Sequence, residues 1–121
     1  MMISELLQRY DFHDSLIESI DIDKNNSRIS MLIFLCNWLQ KDYTDNQPEN
    51  IRIQLVFHNV TCFHREESGN HQLSDEIVDI QLLGIVGDRS QLQFDVTTWN
   101  EVRSIFFETD GVDIIYITEL H

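Results

Sequence analysis

The 121-residue chain contains no alanine, one proline, four glycines and two cysteines, and its eight lysines and arginines face 21 aspartates and glutamates. Each shortage excludes something. Alanine is the best helix former, and its absence beside abundant Ile, Val, Phe and Thr turns the composition toward sheet. The glycines, Gly69, Gly84, Gly87 and Gly111, stand singly, so there is no glycine-rich loop to cradle a phosphate. Two cysteines make no zinc signature; Cys36 and Cys62 end apolar stretches and are expected as small core residues of a reduced compartment. The formal net charge of -13 opposes binding to nucleic acid and to anionic lipid. The most apolar stretch, Met31 to Cys36, is far shorter than the roughly 20 residues a membrane helix needs. The opening residues carry no basic n-region before an apolar run, so the expected compartment is the cytoplasm.

What remains is a foldable chain. Hydrophobic residues make up 42% of it and recur in short stretches, without repeats or low-complexity tracts, which fits a single domain over residues 1–121. Helical spacing occurs once: Ile3, Leu6, Leu7 and Tyr10 fall at i, i+3, i+4 and i+7, with Ser4 as the cap. A strand from Leu16 is expected to turn at Lys24-Asn25-Asn26-Ser27 into a second, Arg28 to Trp38, apolar at both parities from Met31 to Cys36. A polar connection, Leu39 to Asn50, precedes an alternating strand, Ile51 to Phe57, whose parity reverses at Val60 and Cys62 as at a bulge near Asn59. A second polar connection spans His64 to Ser74, and a helical turn is an alternative for Ser74 to Asp79. Ile77 to Val86, Leu92 to Trp99 and Val102 to Phe107 follow, with Gly87-Asp88 as the first turn. Asp110-Gly111 is a hairpin signal leading to a last face of Val112, Ile114, Tyr116, Thr118 and Leu120. About seven strands with one short N-terminal helix and no βαβ rhythm predict a mainly β fold, an antiparallel β-sandwich or open barrel.

The densest polar cluster before a strand is Asp11-Phe12-His13-Asp14-Ser15. Adjacent Ser, His and Asp do not make a catalytic triad, because side-chain geometry must bring them together and no nucleophile-elbow glycines flank Ser15. His13, Asp14 and Ser15 are therefore expected to form a structural corner between helix and strand, or a binding element, with no catalytic residue assigned. His58, His64 and His71 with Glu66 and Glu67 lack metal-ligand spacing. Asp21, Asp23 and Asn25 open like a calcium loop but lack its glycine and its final glutamate. No metal or cofactor is expected.

The segment Tyr10-Asp11-Phe12-His13-Asp14-Ser15-Leu16-Ile17-Glu18-Ser19-Ile20, followed by a hairpin into Ile29-Ser30-Met31-Leu32-Ile33-Phe34, resembles small bacterial proteins that open with a His-Asp-Ser motif, some of them grouped with toxin-immunity proteins. The resemblance implies a recurrent corner at His13, Asp14 and Ser15 and a function carried on a variable acidic surface, with no catalytic residues. The expectation is a non-enzymatic acidic module for a basic protein, with Asp42, Tyr43, Asp45, Glu49, Glu66 and Glu67 as the partner-binding surface. The acidic residues are expected on turns and connections, chiefly Asp21 to Asp23, Asp42 to Glu49 and Glu66 to Glu76. The alternatives are a structural subunit, monomeric or homodimeric through a sheet edge, and a small-ligand or metal-binding domain using His13 and Asp14 with His58 or His64.

Overall fold

A computed structural model describes residues 1–66, 75–98 and 101–117. One helix, α1 (Ile3–Arg9), precedes β1 (Leu16–Asp23), β2 (Arg28–Cys36), β3 (Asn50–His58), β4 (Thr61–Arg65), β5 (Asp75–Val86), β6 (Arg89–Thr98), β7 (Glu101–Thr109) and β8 (Gly111–Tyr116). These strands form one antiparallel sheet in the order β4-β7-β6-β5-β1-β2-β3-β8, which does not close on itself among the described residues. The fold is mainly β, as the composition predicts.

The sheet is folded over so that its two ends share one core. Phe57 on β3 meets Phe94 on β6 and Phe107 on β7, with ring centroids 6.2 and 4.9 Å apart. Strand β2 points Ile29, Met31, Ile33 and Leu35 into this core, all fully buried. Its other parity is apolar because the outer face is itself covered: the Arg52 guanidinium lies 5.0 Å from the centre of the Phe34 ring and donates to Glu18 at 2.8 Å. Ile3 and Leu6 of α1 enter the same core. The helix is tied to β8 at both ends, where the Val112 N–H donates to the Met1 carbonyl and the Tyr10 and Tyr116 hydroxyls bond to each other. It starts at Met2 with no side-chain cap, so Ser4 lies inside it.

The eighth strand comes from residues that parity alone joins to β3. At Asn59, φ is +50° and the chain leaves β3 to pair with β7 on the opposite end of the sheet, so the parity reversal is a corner and not a bulge. The irregularity lies in β4, between Thr61 and His64, where Cys62 has a φ of +55°. Cys62 is thereby exposed on an edge strand instead of buried; both thiols are free. His64 belongs to β4, where it pairs with Phe106, and not to the following connection.

The two aspartate-containing turns differ. Gly87, at a φ of +66°, turns β5 into β6 in a two-residue hairpin with Val86 opposite Arg89. Asp110-Gly111 makes no hairpin: β7 and β8 do not pair, β8 instead lies beside β3, and Gly111 does not need positive φ. The glycine serves close approach, since a Cβ there would sit 3.3 Å from the Met1 carbonyl oxygen. The Thr109 hydroxyl fixes this crossover by donating to the His58 carbonyl at 2.6 Å.

Strand β5 begins at Asp75, without a helical turn in residues 75–79. Asp75 also departs from the expected surface placement of the acidic residues: it is 4% exposed and paired with Arg103 and, at 3.5 Å, with Arg65. A carboxylate leaves water only where cations and hydrogen bonds replace its hydration, and β7 and β4 bring those cations to it. Trp99, Thr118, Leu120 and Ser74 lie outside the described residues.

Candidate functional site

The helix ends because Tyr10 is extended, and the next residues form a hydrogen-bonded corner. The Asp11 carboxylate accepts the His13 N–H at 2.9 Å, turning the chain as short acidic side chains do. Asp14 adopts a φ of +64°, a conformation that Asp tolerates better than branched residues. Phe12 anchors the turn in the core.

Three neighbouring segments are stitched to this corner. The Asp14 N–H donates to the Ile77 carbonyl at 3.1 Å and the Ile77 N–H to the Ser15 carbonyl at 2.8 Å, joining it to β5. The fully buried Ser15 hydroxyl accepts the Cys36 N–H at 3.0 Å, joining it to the end of β2. The Gln40 side chain accepts the Asp11 N–H at 2.9 Å and donates to the Asp11 carbonyl at 2.7 Å and the Cys36 carbonyl at 3.0 Å. The corner therefore holds the start of the loop that carries Asp42, Tyr43, Asp45 and Glu49.

Of the three polar side chains of the corner, His13 and Asp14 face each other and Ser15 is bonded elsewhere. His13 Nδ1 lies 3.0 Å from the Val78 carbonyl and Nε2 lies 3.4 Å from Asp14. That carbonyl hydrogen bond, with the Asp14 charge behind it, holds the His13 imidazole above its ordinary value of 6.5. Glu76 is also raised, first by a hydrogen bond to the Asp14 carboxylate and then by desolvation. Ser15 is buried and committed to Cys36, so the geometry supplies a positioned corner and not a base beside a nucleophile.

Beside the corner lies a groove of about 430 Å³ bounded by α1, His13, Gln40 and the start of β5. A smaller hollow of about 140 Å³ shares Arg9, Tyr10, Gln40 and Lys41 with it and adds Asp42, Tyr43 and Tyr116. The Tyr10 phenol, pushed up to about 12 by burial and by its bond to Tyr116, stays neutral between them. The structure thus brings Asp42 and Tyr43 to the surface that contains His13. Asp45 and Glu49 are exposed on the same connection, where the Gln47 N–H closes a turn on the Thr44 carbonyl at 3.0 Å. Glu66 is exposed at the end of β4, its N–H donating to the Ser104 carbonyl at 3.0 Å. Glu67 and His71 lie outside the described residues.

His58 does not join His13. It sits at the far end of β3 with Asp113 at 2.6 Å, whereas Cys36, which touches the corner, pairs with Asn50 at the near end. Eight residue steps of strand separate the two ends, about 26 Å at the usual rise. Among the described residues no three His, Cys, Asp or Glu side chains gather as a metal site. Tyr10, Gln40, Lys41 and Glu76 were not among the candidates; Tyr10 carried only a helix-face signal, and the others acquire their position from segments distant in sequence.

No family model, curated protein or solved structure matches the chain.

Proposed function

We propose that the protein is a non-enzymatic acidic binding module that takes up a basic protein partner. The observation that carries this is the uneven fate of its charges. Of eight lysines and arginines, at least six are drawn into contacts within the molecule, Arg9 over the Tyr10 ring and Lys41 on the Gln8 carbonyl among them. Arg52 meets Glu18, Arg65 and Arg103 meet Asp75, and Arg89 binds the Asn59 carbonyl, the Thr61 hydroxyl and the Glu108 carbonyl. Among the described residues most acidic side chains are exposed, so the negative charge faces solvent. Such a field speeds encounter with a cationic surface and disfavours anionic competitors.

The contact surface in this account is the rim formed by the 37–49 connection, with Tyr43 as an aromatic anchor and Asp42, Asp45 and Glu49 around it. A rigid aromatic among carboxylates suits a partner that presents lysine or arginine beside an apolar patch. Neutralisation of a cationic toxin is the form of this activity that the Tyr10 to Ile20 resemblance suggests.

The test is capture by the immobilised chain, compared with Asp42→Asn/Asp45→Asn/Glu49→Gln. The account predicts that the native chain retains a defined basic protein at low salt and that the triple variant loses it. Retention of the same protein by both, or of none by either, contradicts it.

A further inference from the structure

The sheet is interrupted between β5 and β1. Strand β5 pairs with β6 from Glu76 to Val86, yet it meets β1 only at Asp75 and Glu76. Beyond the corner, which uses the backbone of Ile77 and the carbonyl of Val78, β5 runs past the start of β1, and that edge of residues 79–86 has no strand beside it among the described residues; α1 approaches its first residues across the groove that Asp79 and Ile80 line. In the hairpin at Gly87-Asp88 the pair next to the turn is the hydrogen-bonded one, so Val86 exchanges bonds with Arg89 and the N–H and C=O of Ile85 point away from β6.

Every other edge carries protection. Strand β4 is five residues long, irregular at Cys62 and bears His64 and Arg65. Strand β8 has α1 against it, as the start of β5 does, and in addition the Met1 carbonyl on Val112. Strand β1, which runs away from residues 79–86, has Glu18, Asp21 and Asp23 within its last six residues. Residues 79–86 read Asp-Ile-Gln-Leu-Leu-Gly-Ile-Val, with one charge, and Leu83, Ile85 and Val86 are 50, 61 and 65% exposed. An edge of this kind pairs with another strand unless charge, proline or cover prevents it.

We propose that β5 is a self-association edge, at which residues 79–86 pair antiparallel with the same residues of a second copy in a two-fold dimer. The charge pattern selects this occupant. A basic strand would find only Asp79 along the edge, whereas a second copy presents the same nearly neutral apolar strand. An axis near Leu82 separates the two Asp79 carboxylates along the ladder by about 20 Å, beyond the screening length in ordinary salt. The bulge at Leu83, between the pairs Leu82 with Leu92 and Gly84 with Gln91, twists the strand but leaves that side chain outward.

The test is the solution mass of the full chain against concentration and salt, with amide exchange of the β5 backbone. The mass is expected to rise from 14.3 kDa toward twice that value, and to do so more readily at high salt, because screening relieves the repulsion between two chains of charge -13. Ile85→Asp should weaken association by about tenfold or more, since it sets like charges on the new ladder. Asn25→Asp, which adds the same charge in the exposed 24–27 turn, should leave it within about twofold, as an exposed charge away from the contact does. The Ile85 amide should exchange more slowly as the native dimer forms. A chain that stays monomeric at all concentrations and salts overturns the proposal, as does an Ile85→Asp variant that associates like the native chain. Slowed β5 exchange only on addition of a basic protein overturns it as well. Capture of a basic partner weakens with salt and this association strengthens, so either can fail alone.

Discussion

The Ser15 hydroxyl accepts the backbone N–H of Cys36 across 3.0 Å, inside the protein and 21 residues away along the chain. That bond fastens the corner after α1 to the end of β2, where the acidic connection starts. Ser15→Ala leaves the Cys36 amide without its acceptor. Urea unfolding should show a loss of about 1–3 kcal/mol with the slope unchanged, the range for an unsatisfied buried donor. An unchanged midpoint would show that the amide finds another acceptor.

Asp75 and Arg103 form the buried ion pair of the sheet. Removing one partner of such a pair strands the other, so Asp75→Asn should cost about 3–5 kcal/mol. Arg65→Ala removes only the more exposed contact to the same carboxylate and should cost less than about 1 kcal/mol. Equal losses in denaturant unfolding would contradict the assignment of Arg103 as the main partner.

Phe57 touches rings from both β6 and β7 and so joins the two ends of the folded sheet. Phe57→Ala should cost about 3–5 kcal/mol, and the exposed Trp38→Ala less than about 0.5. The same unfolding assay separates them.

His13 gives a pH signature. Its folded value is raised, chiefly by the Val78 carbonyl, so the protonated ring binds the corner more strongly than the neutral ring. The stabilisation is complete below the ordinary value of 6.5 and disappears as pH rises through the higher folded value. A proton-resonance titration should place His13 above 6.5, and His13→Gln should remove that part of the stability slope. A titration at or below that value contradicts the geometry.

Alternation and turn chemistry made most of the sheet legible. Ile29, Met31, Ile33 and Leu35 mark the inner face of β2, and Gly87-Asp88 turns β5 into β6. Asp110-Gly111 misled because the same dipeptide that closes a hairpin also serves where the chain crosses between sheet ends under Met1. Asn59 and Cys62 misled for a related reason: parity cannot distinguish a bulge from a corner when both shift the alternation by one. Burial of Asp75 was invisible in a polar run, since it depends on Arg103, 28 residues later. The corner announced itself through its polar density, but Val78, Gln40 and Cys36, which hold it, are 65, 29 and 21 residues from the groups they bind.

The proposed role, a receptor for a basic partner built on exposed carboxylates, is read in association kinetics. The most direct measurement is the association rate with the captured partner across a salt series, for the native chain and for Asp42→Asn/Asp45→Asn/Glu49→Gln. The account predicts a native rate that falls steeply with salt and a triple variant that is slower and flatter, with dissociation changed less. An association rate indifferent to salt, or unchanged in the triple variant, would contradict it.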